Sequence, residues 1–359
     1  MRATLGGAVL LLAGCAQAPV ATCPDAPYQD PGPYSVGVTR LDADGVAIEV
    51  WYPAQVGAAA ARDVYDMRDW LPEEMRTQIP ADAPTRFESD AVRDAPALER
   101  AADGAAFPLV FFSHGLGGYR MQSTFLMTHL ASHGFVVAAP EHAERNLEAI
   151  LAERTLADDA FAQILAARAL LERGDTPLAG RVDFARIAVI GHSAGGGAVQ
   201  VLVDDGGLGV DAWVGMSTIA TPESAVPGLV IGGTNDRIAM RETVGRTYDD
   251  LAHGEKRYVQ IEGAGHLAFS DICVIGRERG GVLRIAQDAG IEISELVITL
   301  ATDGCREEDL PAEEAWPVIR HYVTAHLRDA LEMDEEPTGL AAASTGCFDA
   351  RVAEYRSAE

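Results

Sequence analysis

Along the chain, apolar residues follow two periods in turn. Residues 34–41 and 46–52 alternate apolar and polar positions around Asp42-Ala43-Asp44-Gly45, which predicts a β-hairpin. From residue 108 onward, short apolar runs interleave with helical patterns. Strands are expected at 108–113, 135–140, 187–190, 212–217, 228–233 and 257–261. Helices are expected at 121–133, 156–173, 198–203, 240–251 and 315–331. Apolar strands alternating with helices predict an α/β fold, a mostly parallel central sheet with helices on both faces.

The intervening segments are less regular. Pro31-Gly32-Pro33 ends an Ala- and Pro-rich stretch, so residues 15–33 read as a tether. Residues 55–104 carry only a short helical patch at 68–78. They form one expected insertion in a 34–331 domain, and 273–312 form a second. Residues 332–359, polar apart from Cys347-Phe348, are expected to be a loosely ordered tail.

Charge narrows the field of partners. The formal net charge is −26 over 359 residues, and the sole lysine is Lys256. Such a surface repels phosphate backbones, so no nucleic-acid partner is expected. At the N-terminus, Arg2 precedes the apolar run 8–12 and then Leu12-Ala13-Gly14-Cys15. This resembles a bacterial lipoprotein signal at 1–14, with cleavage before a lipidated Cys15. The apolar run is too short to span a bilayer. The resemblance implies an extracytoplasmic protein whose only membrane contact is its lipid anchor, on the outer membrane where the cell has one. A plain secretory signal is the alternative. Export permits disulfides. The other cysteines, Cys23, Cys273, Cys305 and Cys347, allow three connectivities. The first expectation is Cys273 with Cys305, closing the 273–312 segment, and Cys23 with Cys347, tying the two ends. No spacing suggests a metal site, and no cofactor is expected.

The chemistry centres on Ile187 to Gly197, IAVIGHSAGGG. Gly191-His192-Ser193-Ala194-Gly195 reads G-x-S-x-G between an apolar strand and a helix. In that context a sharp turn raises the serine above the sheet. Serine is a weak nucleophile without a base, and the base needs an acid to orient it. His266, after Gly263-Ala264-Gly265 at a strand end, is the expected base, with His142 the competitor. His129, His133, His253, His321 and His326 are expected on helices or exposed turns, and His114 and His192 in support of the site. Asp236 follows the strand at 228–233 and is the expected acid. Asp211 is the alternative, and the competing role for Asp236 is an Asx turn. Oxyanion donors are expected at the backbone N–H groups of Ala194 and of Leu116, with Gly115 and Gly117 the near alternatives to Leu116, in Ser113-His114-Gly115-Leu116-Gly117-Gly118.

Three blocks, SHGLGG at 113–118, SHGFVV at 132–137 and GHSAGG at 191–196, resemble the platelet-activating-factor acetylhydrolase group of α/β-hydrolases. That group adjoins dienelactone-hydrolase-like and cutinase or polyester-hydrolase families. The resemblance implies an α/β-hydrolase fold with nucleophile Ser193, base His266 and donors Leu116 and Ala194. In the acetylhydrolases the acid follows the strand after the nucleophile, where this chain has Met216-Ser217. In the cutinase-like enzymes it follows the next strand, where this chain has Asp236. The implied activity is a serine carboxylic-ester hydrolase on short-acyl or acetylated phospholipid-like esters, with a polyester or cutin-type hydrolase as the alternative. The rival from another class is a non-catalytic surface-binding protein on a hydrolase scaffold.

Overall fold

The computed structural model describes residues 23–251 and 254–358. Strands β1 (Val36–Ala43) and β2 (Val46–Pro53) pair antiparallel from Val36↔Pro53 to Ala43↔Val46. Asp44 and Gly45 both take positive φ, 52° and 94°, as the tight hairpin turn requires. Short strands β3 (Val64–Asp66), β4 (Arg86–Glu88) and β5 (Ala91–Arg93) follow. Around β3 and β4 lie a 3-10 turn at Met67–Trp70 and the single-turn helix α1 (Glu73–Arg76).

The regular part then runs β6 (Phe107–Ser113), α2 (Thr124–Ser132), β7 (Val136–Pro140), α3 (Leu147–Leu151), α4 (Ala160–Glu172), β8 (Val182–His192), α5 (Gly195–Asp205), β9 (Ala212–Met216) and β10 (Gly228–Gly233). It continues with α6 (Arg241–Asp250), β11 (Lys256–Ile261), α7 (Gly281–Asp288), α8 (Glu295–Thr302), α9 (Ala312–Ala330) and β12 (Val352–Ala358).

Ten strands form one sheet in the order β12-β11-β10-β9-β8-β6-β7-β2-β1-β5. The six from β11 to β7 are parallel, and antiparallel pairings with β12 and β2 flank them. Each central strand feeds two cores. Val110, Phe112, Ala188 and Ile190 face α2 and α9, whereas Leu109, Phe111, Ile187 and Val189 face α4, α5 and α6. A fully buried side chain of this size stabilises the fold by about 2–3 kcal/mol. That two-sided burial is why these strands read as unbroken apolar runs. From β6 the chain winds one way to β7, and from β8 the other way through β9, β10 and β11. The switch point therefore lies between β6 and β8, where a crevice opens beyond the strand ends.

Two segments differ from their expected disorder. Residues 23–33 lie against the body rather than forming a free tether. Ala26 is fully buried, and Gly32 N–H donates to Ser132 Oγ at 2.8 Å. The region from 332 is no loose tail either, because β12 adds an antiparallel edge to β11, with Tyr355 stacked on Tyr322. Its polar composition is what an edge strand carries, and Arg356 covers the rings of Tyr248 and Tyr258. Both expected disulfides are formed. Cys23–Cys347 joins these end segments, and Cys273–Cys305 closes the excursion bearing α7 and α8. At a separation of 32 residues, the second is worth about 3–4 kcal/mol by loop entropy.

The helical histidines are buried, not exposed, and they hold the ends. The rings of His129 and His133 bond the carbonyls of Tyr28 and Asp30, and His321 bonds Gly339. His326 lies between Arg257 and the Trp213 carbonyl. His253 lies outside the described residues. Burial pushes His133 and His321 down to about 4. Both are neutral in the fold and take up a proton on unfolding. Their stability, on the order of 2 kcal/mol each, is present above about pH 6.5 and lost as pH falls towards 4. Thermal unfolding followed across that range is expected to show Tm falling, with hydrogen exchange rising first at residues 23–33 and 339–358. A flat profile down to pH 4 would show that these rings do not couple to the fold.

Candidate active site

The turn after β8 is built by close contact. Ser193 sits in the left-handed region at φ 53°, costly for any residue with a side chain. Its N–H donates to the Met216 carbonyl at 3.0 Å. A Cβ on Gly191 would lie 2.6 Å from the Gly195 carbonyl carbon and oxygen, and one on Gly195 would run into the Ser113 carbonyl. Both glycines are therefore fixed by backbone packing. Ser193 is half-buried, and α5 begins two residues later, at Gly195.

Pairing of Ser113 with Gly191 brings the Gly-rich loop after β6 beside this turn. Gly115 to Gly118, Ser193 and His266 line one cavity together with Gln122 and His192. Among the described residues, neither the Leu116 N–H nor the Ala194 N–H has an acceptor within the protein. Neighbouring donors are committed, Gly117 N–H to the Arg145 carbonyl and Gly118 N–H to that of Gly115. Two free N–H groups beside a serine can hold an oxyanion.

His266 and Asp236 meet across the ends of β11 and β10. His266 Nδ1–H donates to Asp236 Oδ2 at 2.9 Å, with both side chains buried. The other oxygen, Oδ1, accepts the N–H groups of Ile238 and Ala239 at 2.9 and 2.7 Å. The Asx-turn role and the imidazole contact thus belong to the same carboxylate. With Nδ1 protonated, Nε2 carries the lone pair a base needs. Ser193 Oγ makes no hydrogen bond among the described residues, and such contacts often tighten only with substrate in place.

Asp211 lies at the opposite end of the sheet, where its carboxylate accepts the Ile187 N–H. His142 is outside the cavity, bonded to Ser113 Oγ at 3.0 Å and to Gln163 at 2.6 Å. His192 lies under the site. Its Nδ1 accepts from Gln122 at 3.0 Å, and its Nε2–H donates to the His266 carbonyl at 3.1 Å. Burial, and then the neighbouring His266, push it down to about 3, so it is a neutral brace. Asp303 is absent from the sequence-derived candidates. Its two oxygens accept the N–H groups of His266 at 3.0 Å and Arg237 at 2.9 Å, so it clasps the His266 and Asp236 loops together. Its one sequence signal is its place before Gly304-Cys305, at the base of the disulfide-closed excursion.

Two family models match parts of the chain. The PET hydrolase-like family model matches residues 102–277, a span that includes Ser193, Asp236 and His266. The model of platelet-activating factor acetylhydrolase, isoform II, matches residues 26–160, which include Leu116. Platelet-activating factor acetylhydrolase from Canis lupus familiaris is 25% identical over 304 residues, covering 67% of each chain. The Cavia porcellus protein of the same name is 29% identical over 157 residues, 31% of this chain and 36% of that one. Cutinase 1 from Thermobifida cellulosilytica is 28% identical over 170 residues, 44% of this chain and 60% of that one. The chain thus spans about a third of the Cavia porcellus protein and under two thirds of the cutinase. Among solved structures, a ferulic acid esterase from Streptomyces cinnamoneus superposes with a TM-score of 0.58 at 22% identity. It covers 86% of this chain and 94% of its own, a likeness of fold.

Proposed function

Starting from a chain that belongs to the α/β-hydrolase superfamily, we propose a serine carboxylic-ester hydrolase that works through an acyl-enzyme. The observation that carries it is the 2.9 Å Asp236–His266 bond, made at the wall of the cavity that holds Ser193. In this reading His266 Nε2 takes the Ser193 proton as Oγ attacks the ester carbonyl. The N–H groups of Leu116 and Ala194 hold the oxyanion, and Asp236 stabilises the imidazolium. The proton then passes to the departing alkoxide, and water deacylates the enzyme by the same route. The substrate class is a short-acyl or acetylated phospholipid-like ester.

A polyester or cutin-type hydrolase is the second reading, favoured by an acid that follows β10 and by the PET hydrolase-like match across all three residues. Against a polymer surface stands the roof over the cavity, where Met67, Val297 and Leu300 join its lining. The test is turnover of p-nitrophenyl acetate and butyrate beside release of soluble acids from a polyester film. Turnover of the soluble esters with no release from film supports the first reading. Turnover of the soluble esters together with release from film supports the second.

The two disulfides indicate an oxidising compartment. Lipidation of Cys15 falls on residues outside the described ones and rests on the Leu12-Ala13-Gly14-Cys15 motif alone. Metabolic labelling with palmitate is expected to mark the wild type and not Cys15→Ser. Labelling of both would remove the anchor.

A further inference from the structure

We propose that an apolar groove beside the catalytic cavity holds an unbranched alkyl chain of the ester substrate, a proposal that rests on the esterase reading. The groove lies between the two segments that interrupt the regular alternation. One wall is the stretch that runs from the 3-10 turn through α1 to Ile79, with Leu71, Met75 and Ile79, and the other is α7 with Val282, Ile285 and Ala286. These walls meet through a small apolar cluster of their own, built on Ile79, Ala83, Ile285 and Ile291 and separate from both main cores. The groove is therefore a feature of the roof, and the Cys273–Cys305 disulfide closes the base of the segment that forms half of it.

Two observations decide what it holds. First, it adjoins the catalytic cavity, with which it shares the lining residues Met67, Leu147, Val297 and Ala301. Second, it offers a ligand almost no polar contact. Among the described residues its polar side chains are Arg68 and Thr85, and both are bonded to Asp66, at 3.0 and 2.8 Å. A space of this kind does not hold ordered water, which needs two to four polar partners. It favours hydrocarbon that reaches it from Ser193, and burial of each methylene favours binding. With the short acyl group proposed above the chain belongs to the alcohol; a chain on the acyl side would overturn the short-acyl reading and leave the groove standing, and the two are told apart by assay.

The experiment measures kcat/KM below micellar concentrations for two series, p-nitrophenyl esters from acetyl to dodecanoyl and acetates of alcohols from ethanol to dodecanol. In one series kcat/KM is expected to climb on the order of threefold per methylene over its middle members. The series that climbs identifies the side that carries the chain. Ala286→Trp, which fills the groove, is expected to lower the long-to-short ratio in that series at least tenfold. If that variant does not fold, wild-type inactivation rates with methyl to dodecyl fluorophosphonates are read instead, and the same climb is expected. Two flat series with Ser193 still labelled by a small fluorophosphonate would overturn the groove and leave the esterase standing. No labelling at all would overturn the esterase reading, and the groove with it.

Discussion

Ser193→Ala is expected to lower kcat for ester hydrolysis by about 10⁶, leaving the residual turnover that free oxyanion donors and binding supply. The reason is structural. Ser193 is held at φ 53° on a turn whose flanking glycines admit no side chain, so no other hydroxyl can take its position. Its Oγ makes no hydrogen bond among the described residues and its side chain is half-buried, so the loss should not extend to stability. Thermal unfolding within about 0.5 kcal/mol of the wild type would separate lost chemistry from lost fold. A fall in kcat of less than a hundredfold would mean that the serine is not the group attacked through.

Asp236→Asn is expected to cost about 10⁴ in kcat with little change in Tm. Two backbone N–H groups, of Ile238 and Ala239, already claim the Oδ1 position. An asparagine must place its carbonyl there, which turns the amide NH2 towards His266 Nδ1. The imidazole is then driven to carry its proton on Nε2, where a base needs a lone pair. Asp236→Ala, by contrast, also removes the Asx turn and should lose stability as well. The split between kcat and Tm across the two variants distinguishes orientation of the base from capping of the loop. Near-normal turnover in Asp236→Asn would pass the orienting role to another group, and Asp303, bonded to the His266 backbone, is the first to examine.

How much of this was legible from sequence depended on how local the cause was. The nucleophile turn reads directly, because a strand, two obligatory glycines and a helix all leave marks within eleven residues. The Asp44-Gly45 turn reads for the same reason. The parallel strands from β6 to β11 and the helices between them followed from alternating periods. The ends did not, since residues 23–33 and β12 are ordered by partners far away in the chain, the Cys23–Cys347 bond and the β11 edge. Polar edge strands and polar tails have the same composition. The buried histidines misled similarly. A helical His looks solvated until the opposing carbonyls of Tyr28, Asp30 and Gly339 come to meet it. Asp303 depends on its loop folding back onto His266 and Arg237, and the roof made by α7 with the 3-10 turn at Met67–Trp70 on two excursions folding against each other, which no short window records.

The most direct measurement is reaction of the folded wild-type protein with a fluorophosphonate, followed by peptide mass mapping. The account expects one adduct per chain, on Ser193, absent from Ser193→Ala and much slower in Asp236→Asn. Folded protein that gives no adduct, or an adduct on another residue, would contradict it.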